Sequence, residues 1–427
     1  MNKKISLGPR IYNLFPLLVG SVADWEKCLP KIAAMKFNWI YLNPIQASGF
    51  SGSLYSIKDY YQLRPLFQGN NRERPDKLLQ EFVQKSEQQN LSVMMDLVIN
   101  HTAKDSPLVS QHPQWYYHET DGSVRSPFVV DPSDSNKITV WGDLAEINYQ
   151  SNPERENLLS YWKKLLAHYI QLGFHGFRCD AAYKIPGDVW AELIEFARQI
   201  NPEIRFFAET LGAPLNQIDQ LRSVGFDYFF NSAKWWDFRG SWLLDQYEQF
   251  RHIAPSIAFP ESHDTERLAA KEGNEEQRSR LWYLFTAFFS TGVMIPIGYE
   301  YGFRRPLHVV KTRPEDWEPS LFDLSTFIAQ VNTMKAETPV LNEEGPQRCF
   351  TRPESPLVGL LRHGEQGSTC AVGLINTDTE KAHDFELAHL AEVMGISVGA
   401  IKEITPQISA ETPKTQVTPY SMRVFLS

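Results

Sequence analysis

Short apolar runs alternate with longer amphipathic stretches through most of the chain. The run "FNWIYLNPI" (37–45) is typical of a buried strand, and "RPDKLLQEFVQKSEQQN" (74–90) places its apolar residues on one helical face. Eight strand candidates follow this scheme, the last being "GVMIPIGYE" (292–300), before a closing helix at 324–337. Regular alternation of strands and helices indicates parallel β/α units, and this number of units is typical of a (β/α)8 barrel.

The alternation lapses in two places. Between residues 102 and 151 the chain is rich in Pro, Asp, Ser and aromatic residues, and this stretch is too long for a plain loop. After residue 338 the pattern changes to short strands without helices, which indicates an antiparallel β domain. We therefore predict a barrel over 1–101 and 152–338, an inserted subdomain over 102–151 and a C-terminal domain over 339–427.

Composition narrows the class of protein and its location. The formal net charge of −9, without any Lys/Arg cluster, argues against a nucleic-acid partner. No segment approaches the roughly 20 apolar residues of a membrane span, so we expect no membrane partner. The opening "MNKKISLGPRIYNLFPLLVG" lacks the uninterrupted apolar core of a signal peptide, which predicts a cytoplasmic protein. The oligomeric state stays open.

Acidic residues stand at the ends of four strand candidates. They are Asp96, Asp180, Glu209 and Asp264, the last beside His263. The C-terminal ends of all strands in a parallel barrel open onto one face, so these side chains are expected to meet there. A single carboxylate of this kind could cap a helix or pair with a lysine, but grouped carboxylates repel one another and indicate a functional site.

A pair of carboxylates can cleave an acetal. One attacks the anomeric carbon, while the other protonates the leaving oxygen and later deprotonates the incoming water or sugar. Arg178 precedes Asp180 by two residues, the spacing that places both side chains inside the barrel, where the arginine keeps the nucleophile ionised. Glu209 follows "RFFA" and is the candidate for the group that holds its proton.

Four segments resemble, in order, the four sequence blocks of the α-amylase family, glycoside hydrolase family 13. They are "DLVINH" (96–101), "GFRCDAA" (176–182), "FFAETLG" (206–212) and "FPESHDTERLA" (259–269). The resemblance covers roughly residues 10 to 340. It implies a (β/α)8 TIM barrel with a small inserted subdomain after strand 3 and a C-terminal antiparallel β-sandwich domain.

The resemblance also implies catalytic roles for matching positions. Asp180 is similar to the nucleophile of the family, Glu209 to its general acid/base, and Asp264 to the carboxylate that stabilises the transition state. Arg178 resembles the arginine that keeps the nucleophile charged and oriented.

Further positions resemble residues that hold the substrate. His101 and His263 are similar to the two histidines that bond hydroxyls of the sugar being cleaved. Tyr55 resembles the aromatic platform beneath that sugar, with core packing as the alternative, and Asp96 resembles a buried support for the site.

The chain departs from the family pattern at several positions. Ser262 stands where the fourth block usually has Asn, and "AAYKIP" after Asp180 lacks the Lys-His whose histidine helps to hold calcium. Asn100 does match a calcium-ligand position. We therefore expect no metal site and no required cofactor, with calcium as the alternative. The segments "HPQWYYHETDGS" and "LSTFIAQVNTMKAETPVL" are similar to the branch that transfers maltosyl units from maltose 1-phosphate.

The resulting prediction is a retaining enzyme that hydrolyses α-1,4-glucosidic bonds of maltooligosaccharides through a covalent glycosyl intermediate. One alternative is an α-glucan transglycosylase or maltosyltransferase, in which a sugar rather than water resolves the intermediate. A second alternative is a non-catalytic glucan-binding protein on the same fold. The expected partner is in each case an α-glucan or maltooligosaccharide.

Overall fold

The computed structural model describes residues 7–131, 134–365, 367, 369–407 and 413–427, so the "MNKKIS" start lies outside the described residues. In chain order the strands are β1 (Arg10–Asn13), β2 (Trp39–Leu42), β3 (Gln46–Ser48), β4 (Ile57–Leu63), β5 (Ser92–Leu97), β6 (His101–Ala103), β7 (Phe128–Asp131), β8 (Asp134–Val140), β9 (Leu144–Glu146), β10 (Gly176–Cys179), β11 (Arg205–Ala208), β12 (Tyr228–Phe230), β13 (Ser256–Ala258), β14 (Gly292–Pro296), β15 (Gln347–Cys349), β16 (Leu357–His363), β17 (Cys370–Asn376), β18 (His383–Asp384), β19 (Lys402–Glu403), β20 (Gln416–Val417) and β21 (Ser421–Leu426).

The α-helices lie mainly between the barrel strands. They are α1 (Pro16–Val19), α2 (Val22–Ala34), α3 (Pro65–Gln68), α4 (Pro75–Glu87), α5 (Pro107–Gln111), α6 (Arg155–Gln171), α7 (Gly187–Ile200), α8 (Leu215–Asp219), α9 (Trp242–Phe250), α10 (Glu275–Phe289), α11 (Ser325–Glu337) and α12 (Leu387–Met394).

Eight parallel strands close into a barrel in the order β1, β2, β5, β10, β11, β12, β13 and β14, with β14 pairing back to β1. These strands read as apolar runs because they are covered on both sides, by helices outside and by each other inside. The interior is filled by a separate cluster of large side chains. That cluster consists of Ile11, Tyr41, Met94, Phe207, Phe230, Ile257, Phe259 and Met294. The predicted (β/α)8 barrel is confirmed.

Helix packing against the barrel follows the amphipathic pattern of the sequence. In α4 the apolar residues Leu78, Leu79, Phe82 and Val83 are buried, as their spacing on one face predicts. Helix α10 is instead buried almost all around, because it lies between the barrel and the C-terminal sheet. Its apolar residues therefore show no single face.

The chain between β5 and α6 builds a lobe beside the mouth of the barrel. Strand β6 pairs with β9, and β7 pairs with β8 as an antiparallel hairpin. A second hairpin, β3 with β4, follows the second barrel strand and carries Tyr55 in its connection. Both insertions follow the C-terminal ends of barrel strands, so they border the face of the barrel that carries the acidic residues.

The C-terminal region is an antiparallel sheet in the order β15, β16, β17, β21, β19. One side of this sheet packs on α10, where the edge of Phe288 approaches Gly373. The other side is covered by α12, through Leu390 and Met394, and by Val417 of the β18–β20 pair. The sequence predicts strands without helices here, so α12 is a correction. Within the described residues, no helix combines the length and the apolar character needed to cross a bilayer.

Candidate active site

Neighbouring barrel strands bring the acidic residues of the site together. Strand β10 lies between β5 and β11, and its Arg178 is in register with Asp96 of β5. Asp180 and Glu209 directly follow the last paired residues of β10 and β11, so they stand at the same level of the barrel. Asp264 lies in the loop after β13. All four carboxylates therefore lie at the C-terminal strand ends, as predicted.

Arg178 is the centre of the charge network. Its Nη1 donates to Oδ1 of Asp96 and to Oδ1 of Asp180, both at 2.7 Å, and its Nη2 lies 3.9 Å from Oε2 of Glu209. Burial opposes the charge of Arg178, but Asp96 and its neighbours outweigh that effect and hold the pKa of Arg178 well above its usual range. One guanidinium thus compensates two carboxylates and orients Asp180.

A left-handed residue directly after Asp180 turns the chain toward Glu209. Ala181 has a φ of 41°, a conformation that costs a non-glycine residue roughly 1–2 kcal/mol. In this turn the N–H of Ala181 donates to Oε2 of Glu209 at 2.9 Å, and the N–H of Leu211 donates to Oε1 at 2.6 Å. Both carboxylate oxygens are fixed by backbone groups, so Glu209 keeps one orientation.

The environment of Glu209 differs from that of Asp180. Burial is the largest influence on Glu209 and raises its pKa, Arg178 lowers it, and the charge of Asp180 raises it again. The net result is a pKa of about 7, although both backbone N–H groups favour the charged form. A carboxyl group poised near neutral pH can hold a proton and then release it, which is what a general acid requires.

This pKa predicts the basic limb of the pH–rate profile. If Glu209 is the proton donor that the resemblance implies, cleavage of maltoheptaose needs its protonated form, and kcat/KM is expected to fall as the pH rises through about 7. The same enzyme with α-maltosyl fluoride is the control, since fluoride departs without protonation and glycosyl-enzyme formation should lack that limb. A basic limb of equal position with both donors would contradict the assignment of the proton donor.

Asp264 is held by His263 at the open side of the site. Its Oδ2 lies 2.9 Å from Nε2 of His263, while 57% of the Asp264 side chain is exposed. Partial desolvation raises the pKa of Asp264, but the charge and hydrogen bond of His263 outweigh it and lower the pKa to about 2. The hydroxyl of Ser262, where the family usually has Asn, accepts from the N–H of Asp264 at 3.2 Å. Ser262 thus still fixes this loop.

Tyr55 links Asp96, His101 and His263 through hydrogen bonds. Its hydroxyl donates to Oδ2 of Asp96 at 2.8 Å and contacts Nε2 of His263 at 2.6 Å. The Tyr55 ring stacks on His263 with 5.7 Å between centroids, and Tyr55 both packs against the main core and lines the cleft described below. His101 bonds the carbonyl of Tyr55 through Nε2, and burial lowers the pKa of His101. The structure thus brings together every predicted site residue.

Tyr55, His101, Asp180 and Asp264 border a cleft of about 300 Å³. The cleft is lined by Ser53, Tyr55, Asn100, His101, Pro127, Trp141, Asp143, Leu144, Asp180, Ala181, Tyr183, Lys184, Asp264 and Val309. Trp141 comes from the lobe between β5 and α6, and the amino group of Lys184 lies 5.2 Å from the centre of its ring. A concave surface that combines carboxylates with aromatic rings is suited to a sugar.

Tyr41 of the second barrel strand and Asn43, directly after that strand, belong to the site although the sequence did not single them out. Tyr41 donates to Oδ2 of Asp96 at 2.5 Å, and the amide of Asn43 donates to the hydroxyl of Tyr55 at 3.0 Å. They alternate along the chain with the apolar Leu42, a period of two that points both side chains inward. This alternation is the feature of the sequence that could have identified Tyr41 and Asn43 as site residues.

A calcium site receives little support from the described residues. The side-chain oxygen of Asn100 is buried and lacks a hydrogen-bond partner there, so one oxygen is free for a ligand. Calcium takes about six to eight oxygens, and among the described residues no group of three or more His, Cys, Asp or Glu side chains surrounds a common point. Asn100 thus offers one such oxygen, and no chemical step is assigned to a metal ion.

Comparison with known proteins shows that the chain is similar to proteins named as α-glucan enzymes. Residues 10–131 match the family described as "Glycogen debranching enzyme, glucanotransferase domain". The chain is 26% identical, over 97% of its length, to the α-1,4-glucan:maltose-1-phosphate maltosyltransferase of Burkholderia pseudomallei, of which it covers 36%. It is 22% identical, over 80% of its length, to the α-amylase MalA of Haloarcula japonica, of which it covers 50%. The chain thus spans half or less of these curated relatives.

Solved structures agree with the fold. The crystal structure of an α-amylase from Lactobacillus plantarum superposes with a TM-score of 0.74 at 19% identity, covering 98% of each chain. At this identity the likeness shows the fold alone, and that fold is the one of α-amylases. Together with the relatives it confirms the resemblance to the α-amylase family of enzymes, including the similarity to its maltosyltransferase branch.

Proposed function

We propose that the protein is a retaining transglycosylase that acts on α-1,4-linked glucose oligomers, with Asp180 as nucleophile, Glu209 as general acid/base and Asp264 as the carboxylate that stabilises the transition state. The observation that carries this proposal is the contrast between two adjacent carboxylates. Asp180 is compensated by Arg178 at 2.7 Å, whereas burial raises the pKa of Glu209 to about 7. When two neighbouring carboxyl groups differ in this way, the one paired with a cation is suited to be the nucleophile and the one with the raised pKa is suited to be the acid.

The proposed reaction has two steps. In the first, an oxygen of Asp180 attacks the anomeric carbon, the glycosidic bond breaks, and the leaving oxygen takes the proton of Glu209. In the second, Glu209 takes the proton of an incoming sugar hydroxyl, whose oxygen attacks the anomeric carbon and releases Asp180. Each step inverts the anomeric carbon, so the product keeps the α configuration. Asp264, ionised and exposed to the cleft, faces the positive charge that develops on the sugar ring.

Transfer rather than hydrolysis is proposed because of the relatives. The maltosyltransferase named above aligns with nearly the whole chain, and the matched family is described as a glucanotransferase domain. Hydrolysis, predicted first from the sequence, uses the same residues with water as the acceptor. The proposed donor is maltose 1-phosphate or a maltooligosaccharide, and the proposed acceptor is an α-glucan. A cytoplasmic location stays a prediction.

Product analysis tests this proposal. The protein is incubated with maltoheptaose alone, or with maltose 1-phosphate and maltoheptaose, and the products are separated by chromatography over time. Transfer yields chains longer than the substrate from the earliest time points. Shorter chains alone would establish hydrolysis instead, and unchanged substrate in every mixture would favour the non-catalytic glucan-binding protein. The Asp180→Asn variant, prepared in parallel, controls for contaminating enzymes.

We also propose that activity is independent of a metal ion. The residues after Asp180 lack the histidine of the family pattern, and among the described residues no group of three or more His, Cys, Asp or Glu side chains could hold a metal ion. Activity on maltoheptaose is therefore expected to stay within about twofold after dialysis against EDTA, as for a protein without an essential metal. Loss of activity that calcium restores, and magnesium does not, would overturn this prediction.

A further inference from the structure

The loop that carries His263 and Asp264 is closed at its base by a buried ion pair. Glu261 precedes these two residues and Arg267 follows them, and both side chains are almost completely buried. One carboxylate oxygen of Glu261 accepts from Nη1 of Arg267 at 2.8 Å, and the other accepts from the N–H of Leu268 at 2.5 Å. Both oxygens of Glu261 therefore bond the opposite end of the loop.

Arg267 also connects this loop with the next strand of the barrel. Its Nη2 donates to the carbonyl of Ile297, directly after β14, at 2.8 Å, and its Nε donates to the carbonyl of Arg305 at 3.1 Å. Strand β13, which precedes the loop, pairs with β14. The guanidinium thus fixes the far end of the loop to the same part of the barrel from which the loop begins.

Asp264 takes its position from this loop. More than half of its side chain is exposed, and its carboxylate lies 2.9 Å from Nε2 of His263, its neighbour in the chain. The N–H of Thr265 donates to the carbonyl of Ser262 at 3.3 Å, and the N–H of Ser262 donates to Oγ1 of Thr265 at 2.9 Å. These bonds make the segment one tight turn. The contact of His263 with Tyr55 holds one side of this turn, and the ion pair holds its two ends.

We propose that Glu261 and Arg267 are positioning residues that aim the carboxylate of Asp264 at the reacting sugar. The dehydration of two buried charges offsets most of their attraction, so such a pair adds little net stability, and its contribution here is a fixed geometry. This inference rests on the proposed function, in which Asp264 stabilises the transition state. The pair acts through Asp264, so its loss should affect the transition state more than the binding of substrate.

Glu261→Gln tests this role with the smallest change of shape. It keeps an oxygen for the N–H of Leu268 but removes the charge opposite Arg267. We expect kcat for maltoheptaose to fall roughly 10- to 100-fold, the scale of a small misplacement in an active site, while KM changes by less than about threefold. The double variant Glu261→Leu/Arg267→Met removes both buried charges, so stability should return in part while kcat stays low.

Two inhibitors test whether the loss acts through Asp264. 1-Deoxynojirimycin carries a positive charge on its ring nitrogen, as the sugar ring does in the transition state, whereas maltose is neutral. In Glu261→Gln the inhibition constant of 1-deoxynojirimycin should rise about tenfold, and that of maltose should stay within about twofold. If the pair only stabilised the fold, the ratio of the two constants would not change, and that result would overturn the proposal.

Glu403→Gln is the matched control. Glu403 pairs with the buried Arg423 in the C-terminal sheet, at 2.7 Å and 2.6 Å, so the same change again leaves a buried arginine without its charged partner. Both variants should unfold at lower urea concentration, but only Glu261→Gln should change kcat. Unchanged kcat in Glu261→Gln, an equal loss in Glu403→Gln, or restored kcat in the double variant would overturn the positioning role. An unmodified protein that processes no glycosyl donor would instead overturn the proposed function, and this inference with it.

Discussion

Replacing Asp180 with asparagine is expected to reduce turnover of every glycosyl donor by on the order of 10⁴- to 10⁶-fold, the scale seen when a nucleophile is removed. An amide cannot form the glycosyl ester, so activated donors such as α-maltosyl fluoride should fail together with maltoheptaose. The change keeps the size of the side chain. It removes one of the two carboxylates that share Arg178, while the 2.7 Å bond to Asp96 can persist. Initial rates with both donors measure the effect.

Asp143→Asn is the matched control for this variant. Asp143 lines the same cleft as Asp180, but it is not a predicted catalytic group. The same isosteric change there is expected to reduce the rate by less than about tenfold, since it removes a charge that takes no part in making or breaking bonds. Near-normal activity of Asp180→Asn with either donor would show that the nucleophile lies elsewhere.

Replacing Arg178 with methionine is expected to abolish detectable activity and to lower the free energy of unfolding by about 3–5 kcal/mol, the cost of breaking a buried ion pair. Arg178 is 6% exposed and Asp96 is fully buried, so Asp96 cannot turn to water for compensation. Burial already raises the pKa of Asp96, and without the guanidinium this carboxyl is expected to take up a proton. Urea unfolding monitored by tryptophan fluorescence measures the loss.

Two further variants separate stability from catalysis. Arg178→Met combined with Asp96→Asn removes both buried charges, so stability should return in part while activity stays lost, because Asp180 still lacks its partner. Arg222→Met breaks an exposed pair with Asp219 and should change the free energy of unfolding by less than about 0.5 kcal/mol. Full activity in Arg178→Met, or equal destabilisation by Arg222→Met, would contradict the central place of Arg178.

The barrel could be predicted because its strands are covered on both sides. Such strands read as uninterrupted apolar runs, and the amphipathic helices between them mark the units. Helix α12 was not predicted, because it is short and covers a sheet whose strands dominate the local pattern. Helix α8 is only Leu215–Asp219, shorter than the helical pattern of its surroundings indicates. The domain limits at 101, 152 and 339 stay predictions.

The acidic site could be predicted because a parallel barrel brings together, at its strand ends, side chains that lie far apart in the sequence. Asp180 and Glu209 are neighbours only because β10 pairs with β11, and strand ends are visible in the sequence. The left-handed turn at Ala181 and the contact of Tyr41 with Asp96 were not visible. They depend on backbone angles and on strand register, which the apolar pattern does not specify.

Trapping of the glycosyl-enzyme tests the central claim most directly. The Glu209→Gln variant is exposed briefly to α-maltosyl fluoride, and the mass of the intact protein is measured beside that of Asp180→Asn. Fluoride leaves without a proton, so the intermediate should form on Asp180, but its breakdown lacks the base that activates water or sugar. We predict that Glu209→Gln gains the mass of one maltosyl unit and that Asp180→Asn gains none. A maltosyl unit on Asp180→Asn, with none on Glu209→Gln, would contradict the account.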